Sequence, residues 1–167
     1  MKRIISLLCL IAICFCLSSC DPSTFVVTAE SLENVTSIEL ISYSNTEQKH
    51  FNSWVPNHFE DLVDFDNSRA TVIENLEEEK IPEFIAEFTK TDILHTYYAY
   101  DSPNDVCIRL VFSNGNYLII WADYNQNSHA GYIGEYMPDG KVLSFWGSFS
   151  SLHYYKDLVN NFFDYNI

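Results

Sequence analysis

Basic residues are scarce in this chain. Its 167 residues hold 9 Lys and Arg against 23 Asp and Glu, a formal net charge of −14 at pH 7. Such a surface is repelled by phosphate backbones and by anionic lipid heads, so nucleic acid is not expected as a partner and a basic patch cannot serve as a membrane anchor. Glycine and proline are also few, 5 of each. No glycine-rich phosphate loop, zinc-protease helix, nucleophile elbow or paired Cys-x-x-Cys occurs, and no cofactor or metal is expected. Long apolar runs are lacking as well. Ile4 to Leu17 is apolar apart from Ser6, and it is shorter than the about 20 residues that a spanning helix needs. What the chain does have is 47% hydrophobic and 16% aromatic residues, which argues against disorder and for a packed core.

The first residues are ordered like a targeting segment. Lys2 and Arg3 form a short positive region, the apolar run follows, and Leu17-Ser18-Ser19-Cys20-Asp21 closes it. Leu-small-small-Cys after such a run resembles the lipobox of bacterial lipoproteins. The resemblance covers residues 1–21. It implies that residues 1–19 are removed as a signal peptide and that Cys20 carries diacylglycerol as the first residue of the mature chain. The implied location is the extracytoplasmic side of a bacterial membrane. Two or three acyl chains hold a protein stably, each buried methylene contributing about 0.8 kcal/mol. An ordinary signal peptide, or an uncleaved N-terminal helix with an incidental Cys20, is the alternative. The body of the chain is similar to small bacterial lipoproteins in general style, and to no characterised family.

On that reading five cysteines reduce to one thiol. Cys9, Cys14 and Cys16 lie in the leader and Cys20 carries lipid, so Cys107 remains and no intramolecular disulfide can form. Cys107 sits in the apolar run Val106 to Phe112 and reads as a small buried hydrophobe rather than a nucleophile, which would want a nearby histidine and an electropositive setting.

Residues 20–34 read as a polar, lipid-anchored tether and residues 35–167 as one domain. Val35 to Ser44 alternates as a strand, with Ile41 on one face and Ile38 and Leu40 on the other. Asn45 to Arg69 is a long excursion, with a short strand or helical turn near Phe59–Phe65. Thr71 to Leu76 fits a strand or the first turn of a helix. Ile81, Phe84, Ile85 and Phe88 form one helical stripe, with Pro82 in the first turn and Glu77, Glu78 and Glu79 before it, where the helix dipole favours negative charge. Ile93 to Tyr100 is a strand candidate. Two hairpins follow. In the first, Val106–Phe112 and Tyr117–Ala122 flank Asn114-Gly115. A two-residue turn would pair Phe112 with Tyr117, while a three-residue turn with a glycine bulge would shift the partner strand by one and flip its faces; the sequence leaves both open. In the second, Tyr132–Tyr136 and Val142–Trp146 flank Pro138-Asp139-Gly140, which suits a type I turn with a bulge. A helix from about Ser151 to Phe163 closes the chain, capped by Ser150 or Ser151. The expected class is α+β: an antiparallel β-meander sheet packed by two helices in a single domain.

Candidate chemistry is sparse. Asp123, Asn125 and Asn127 resemble the opening of a calcium loop, but Ser128 and Gly134 stand where such a loop needs glycine and glutamate, so the segment reads as a connector. His58 beside Glu60 and Asp61, and His129 near Asp123, could be nominated as acid–base pairs; each reads more simply as a surface histidine. Among the aromatics, Trp54, Tyr97, Tyr98 and Tyr100 are the candidate binding residues, because tyrosine and tryptophan combine area with a polar tip. Trp121 and Trp146, in strand patterns, read as core. The expected function is a non-catalytic, lipid-anchored binding or interaction module of the bacterial envelope. It would meet the membrane through the lipid on Cys20, and its partner would be a protein or an envelope ligand. A small envelope hydrolase using acidic residues is the alternative, and a purely structural lipoprotein the third class.

Overall fold

The protein is seen in a computed structural model that describes residues 24–25, 27–44, 50–51, 64–90, 93–94, 100–101, 105–122, 131–149 and 152–165. Six strands of six or more residues carry the fold: β2 (Val35–Tyr43), β4 (Ala70–Asn75), β7 (Asp105–Phe112), β8 (Tyr117–Ala122), β9 (Gly131–Tyr136) and β10 (Val142–Phe149). Four two-residue strands complete the set: β1 (Thr24–Phe25), β3 (His50–Phe51), β5 (Ile93–Leu94) and β6 (Tyr100–Asp101). Two α-helices, α1 (Ile81–Phe88) and α2 (Leu152–Phe162), join them, so the described residues are mostly β with some helix. One antiparallel sheet runs β1-β5-β10-β9-β8-β7-β2-β4, and β3 pairs separately with β6. β7 to β10 are successive neighbours, while β2 enters beside β7 and β4 closes that edge. The stretch Ile93 to Tyr100, read as one strand, begins in β5 and ends in β6, which belong to different ladders.

The hairpins resolve the register. Phe112 N–H donates to the Asn116 carbonyl at 2.8 Å and Gly115 N–H to the Phe112 carbonyl at 2.9 Å, with Gly115 at φ +87°. This is the three-residue loop with a glycine bulge, so Val111 pairs with Tyr117 and Leu110 with Leu118. The β9–β10 turn repeats it: Met137 N–H reaches the Lys141 carbonyl at 2.8 Å and Gly140 sits at φ +88°. In both, the left-handed position falls on glycine, which takes it without a Cβ penalty.

The centre of the sheet is buried on both faces, with β8 buried at all six positions, while the edge strand β4 has none buried. One hydrophobic cluster joins Ile38, Leu40, Ile108, Leu110, Leu118, Ile120 and Ile133 of the strands with Phe84 and Phe88 of α1 and Tyr155, Leu158, Val159 and Phe162 of α2. Each such buried side chain contributes about 1.5–3 kcal/mol relative to exposure. Val27 and Leu32, in the segment read as a tether, belong to the same cluster. Tyr154 of α2 donates its hydroxyl to the Glu87 and Phe88 carbonyls at 3.1 and 3.0 Å, satisfying the end of α1, and Tyr155 donates to the Val106 carbonyl at 2.7 Å. The opposite face carries Ile41, Tyr43, Cys107, Tyr117, Ile119, Trp121, Tyr132 and Tyr136, closed by Phe65.

Candidate functional site

Phe65 closes that second face as part of a strap, residues 64–69. Its ring stacks on Tyr43 at 4.2 Å, packs T-shaped with Tyr117 at 5.9 Å and lies tilted against Tyr136 at 5.7 Å. Phe65 N–H donates to the Gly140 carbonyl at 2.7 Å, Val142 N–H donates to Asp64 Oδ1 at 3.1 Å, and Asn67 Nδ2 donates to the Pro138 carbonyl at 3.3 Å. Asp66 N–H donates to the Tyr43 hydroxyl at 3.2 Å. Burial pushes the Tyr43 and Tyr117 phenols above their ordinary pKa. The aromatic face is therefore filled by the chain itself. Beside the strap, Arg109 Nε donates to Glu39 Oε2 at 2.6 Å and the guanidinium carbon stands 5.8 Å from the Tyr117 ring centre.

The open site lies on the other side of the sheet, at the end where β2 begins and β7 turns into β8. A cleft of about 350 Å³ is lined by Ser31, Asn34, Phe112, Ser113, Asn114, Glu135 and Trp146. Local structure explains why these residues meet. Cross-strand pairing sets Ser144 opposite Glu135. Between the pairs Phe145–Gly134 and Gly147–Ile133, β10 holds one residue too many, and Trp146 is that residue. A bulge of this kind re-aims a side chain. Gly147 follows at φ +138°, a value that favours glycine. As a result Trp146 Nε1–H donates to Glu135 Oε2 at 2.9 Å, and Ser144 Oγ–H donates to the same oxygen at 2.8 Å. The Ser113 N–H bond to the Asn34 carbonyl, 2.9 Å, ties the β7–β8 turn to the start of β2, and both residues line the cleft.

The residues nominated from sequence fare differently. Trp121 is core, 1% exposed. Trp146, read as core, is partly buried against the helix-side cluster and lines the cleft. Tyr100 contributes its backbone to β6, paired with Phe51. Cys20, Trp54, Tyr97, Tyr98, His58 and the Asp123–His129 loop lie outside the described residues, as does the cap at Ser150 or Ser151. Cys107 is buried. Among the described residues no cluster of three or more His, Cys, Asp or Glu could hold a metal, and no helix is long and apolar enough to cross a membrane. Sequence reasoning missed Glu135. The signal was there: a lone carboxylate in the otherwise apolar-aromatic strand GYIGEY, with a serine opposite and a tryptophan two residues beyond.

No protein-family model, curated protein or solved structure matches this chain.

Proposed function

We propose that the chain is a non-catalytic, lipid-anchored binding module on the extracytoplasmic side of a bacterial membrane, with the Glu135–Trp146 cleft as its ligand site. The architecture that goes with this reading is a single α+β domain, its meander covered on one face by the two helices. The lipobox-like run Leu17 to Cys20 supports the anchor. The observation that carries the binding site is the state of Glu135. One oxygen is occupied by two donors, Trp146 and Ser144, which fixes the carboxylate and the indole together. An acceptor pinned by an indole suits recognition, where preorganised groups lose little freedom on binding. Hydrolysis of a glycoside would want a second carboxylate about 5–10 Å away across the cleft, and among the described residues Glu135 is the one acid in the lining.

Thermal unfolding of the full chain against size-separated envelope extracts tests the binding role. A low-mass fraction is expected to raise Tm, since a ligand at about 100 times its Kd adds about 2.7 kcal/mol. If no fraction raises Tm, or if the active fraction is consumed on incubation, the binding role fails. For the anchor, Cys20→Ala is expected to leave the membrane fraction; a variant that stays fully membrane-bound sinks it.

A further inference from the structure

We propose that the Glu135–Trp146 cleft binds a neutral saccharide of one or two pyranose rings, an inference that rests on the binding-module reading above. The cleft, about 350 Å³, lies at the small end of ligand sites, which run from about 300 to 1,000 Å³. Two of its described lining residues are aromatic, Trp146 and Phe112, among polar ones, and a pyranose presents C–H faces that pack against aromatic rings.

The rim decides the class. Glu135 uses Oε2 for Ser144 and Trp146, and its Oε1 accepts no hydrogen bond among the described residues. Asn114 accepts from the Asn116 N–H with its Oδ1 at 2.9 Å, and its Nδ2 makes no hydrogen bond among the described residues. The Asn34 side-chain amide and the Ser113 hydroxyl make no hydrogen bond among the described residues, so each still offers a donor and an acceptor. Among the described residues the rim thus presents donors and acceptors in mixture, around one carboxylate. A sugar hydroxyl both donates and accepts, and can satisfy all of these groups. An ammonium ion only donates and would leave the amide N–H groups unmatched. A phosphate or carboxylate only accepts, and would meet both Glu135 and a chain of net charge −14. An apolar ligand would strand every polar group, at about 1–3 kcal/mol for each one buried.

The test uses the full chain in detergent micelles and follows the indole N–H resonance of Trp146, identified by its loss in Trp146→Phe. Cellobiose, maltose and diacetylchitobiose are titrated, with butylammonium and inorganic phosphate as cation and anion. At least one disaccharide is expected to move the resonance saturably, while butylammonium and phosphate leave it in place. Asn34→Ala, at an exposed position where the fold is not at risk, should weaken that disaccharide roughly threefold or more. Retention on insoluble cellulose or chitin, released by the matching disaccharide, would mark a glycan end as the source; binding in solution without retention would mark a free sugar. The saccharide assignment is overturned if butylammonium or phosphate moves the resonance and no disaccharide does. It is also overturned if a disaccharide binds with the resonance and the Asn34→Ala affinity unchanged. In both cases the binding-module reading stands so long as an envelope fraction still raises Tm. Silence toward every probe and every fraction brings down both.

Discussion

Gly131 is required by packing rather than by backbone conformation. A Cβ placed there would lie 1.9 Å from Cζ of Phe149, a ring that is itself buried and set edge-on to Tyr154 at 5.6 Å. Gly131→Ala is expected to lose about 1–3 kcal/mol in urea unfolding, as overpacked cores do, and Phe149→Leu in that background to recover part of it. Parent-like stability of the single variant would contradict the close approach. The Glu39–Arg109 pair is a second residue-scale case, with side chains only 16% and 17% exposed. Desolvation offsets most of the attraction in such a pair, but removing one partner strands the other charge. Glu39→Gln should therefore cost about 1–3 kcal/mol, whereas the double variant Glu39→Leu with Arg109→Met should lie within about 1 kcal/mol of the parent. Equal losses in the single and double variants would show that the pair, and not the stranded charge, carries the energy. These close contacts link residues far apart in the chain, so no local pattern announces them.

Among the elements, the strap at residues 64–69 and the turn it touches hold two carboxylates with lowered pKa. The Ser68 hydroxyl and N–H hold Asp66 below the usual carboxylate range, and the Lys141 N–H does the same for Asp139 in the turn that the strap touches. Both folded pKa values are depressed. Their contribution is thus complete above the unfolded value, near about 3.9, and is lost as pH falls through the folded values. Amide exchange at Phe65 and Gly140 is expected to quicken below about pH 4, ahead of the sheet amides, and Asp66→Asn should flatten that dependence. An acid response identical in the variant and the parent would remove Asp66 from the account. The hairpin turns were legible in sequence because their chemistry is local: Asn114-Gly115 and Pro138-Asp139-Gly140 carry glycine where φ must be positive. The helix stripes were legible for the same reason, with Ile81, Phe84 and Phe88 buried where the period placed them. The register of the first hairpin was not, because either register offered an apolar face and only the neighbouring strands β2 and β9 choose between them.

At the scale of the molecule, two hydrophobic clusters share one sheet, so loss of the sheet itself exposes both at once. Trp121 reports on one cluster and Trp146 packs against the other. Fluorescence and far-ultraviolet circular dichroism are expected to follow one coincident unfolding transition, unchanged by reductant, since Cys107 is the sole cysteine of residues 35–167. Separate midpoints would mean that the two faces unfold as distinct units. By itself the sequence determined the acidic charge, the single cysteine of residues 35–167, the positions of the two described helices and the two glycine turns, because each depends on composition or on neighbours a few residues apart. Only the tertiary structure decided that the second sheet face is sealed by Phe65 rather than left as an aromatic groove. It alone also placed Glu135 beside Trp146, with Asn34 and Ser113 on the rim. Those choices rest on strand pairing, a bulge in β10 and a strap that crosses the sheet, and these are contacts between residues that the chain keeps far apart.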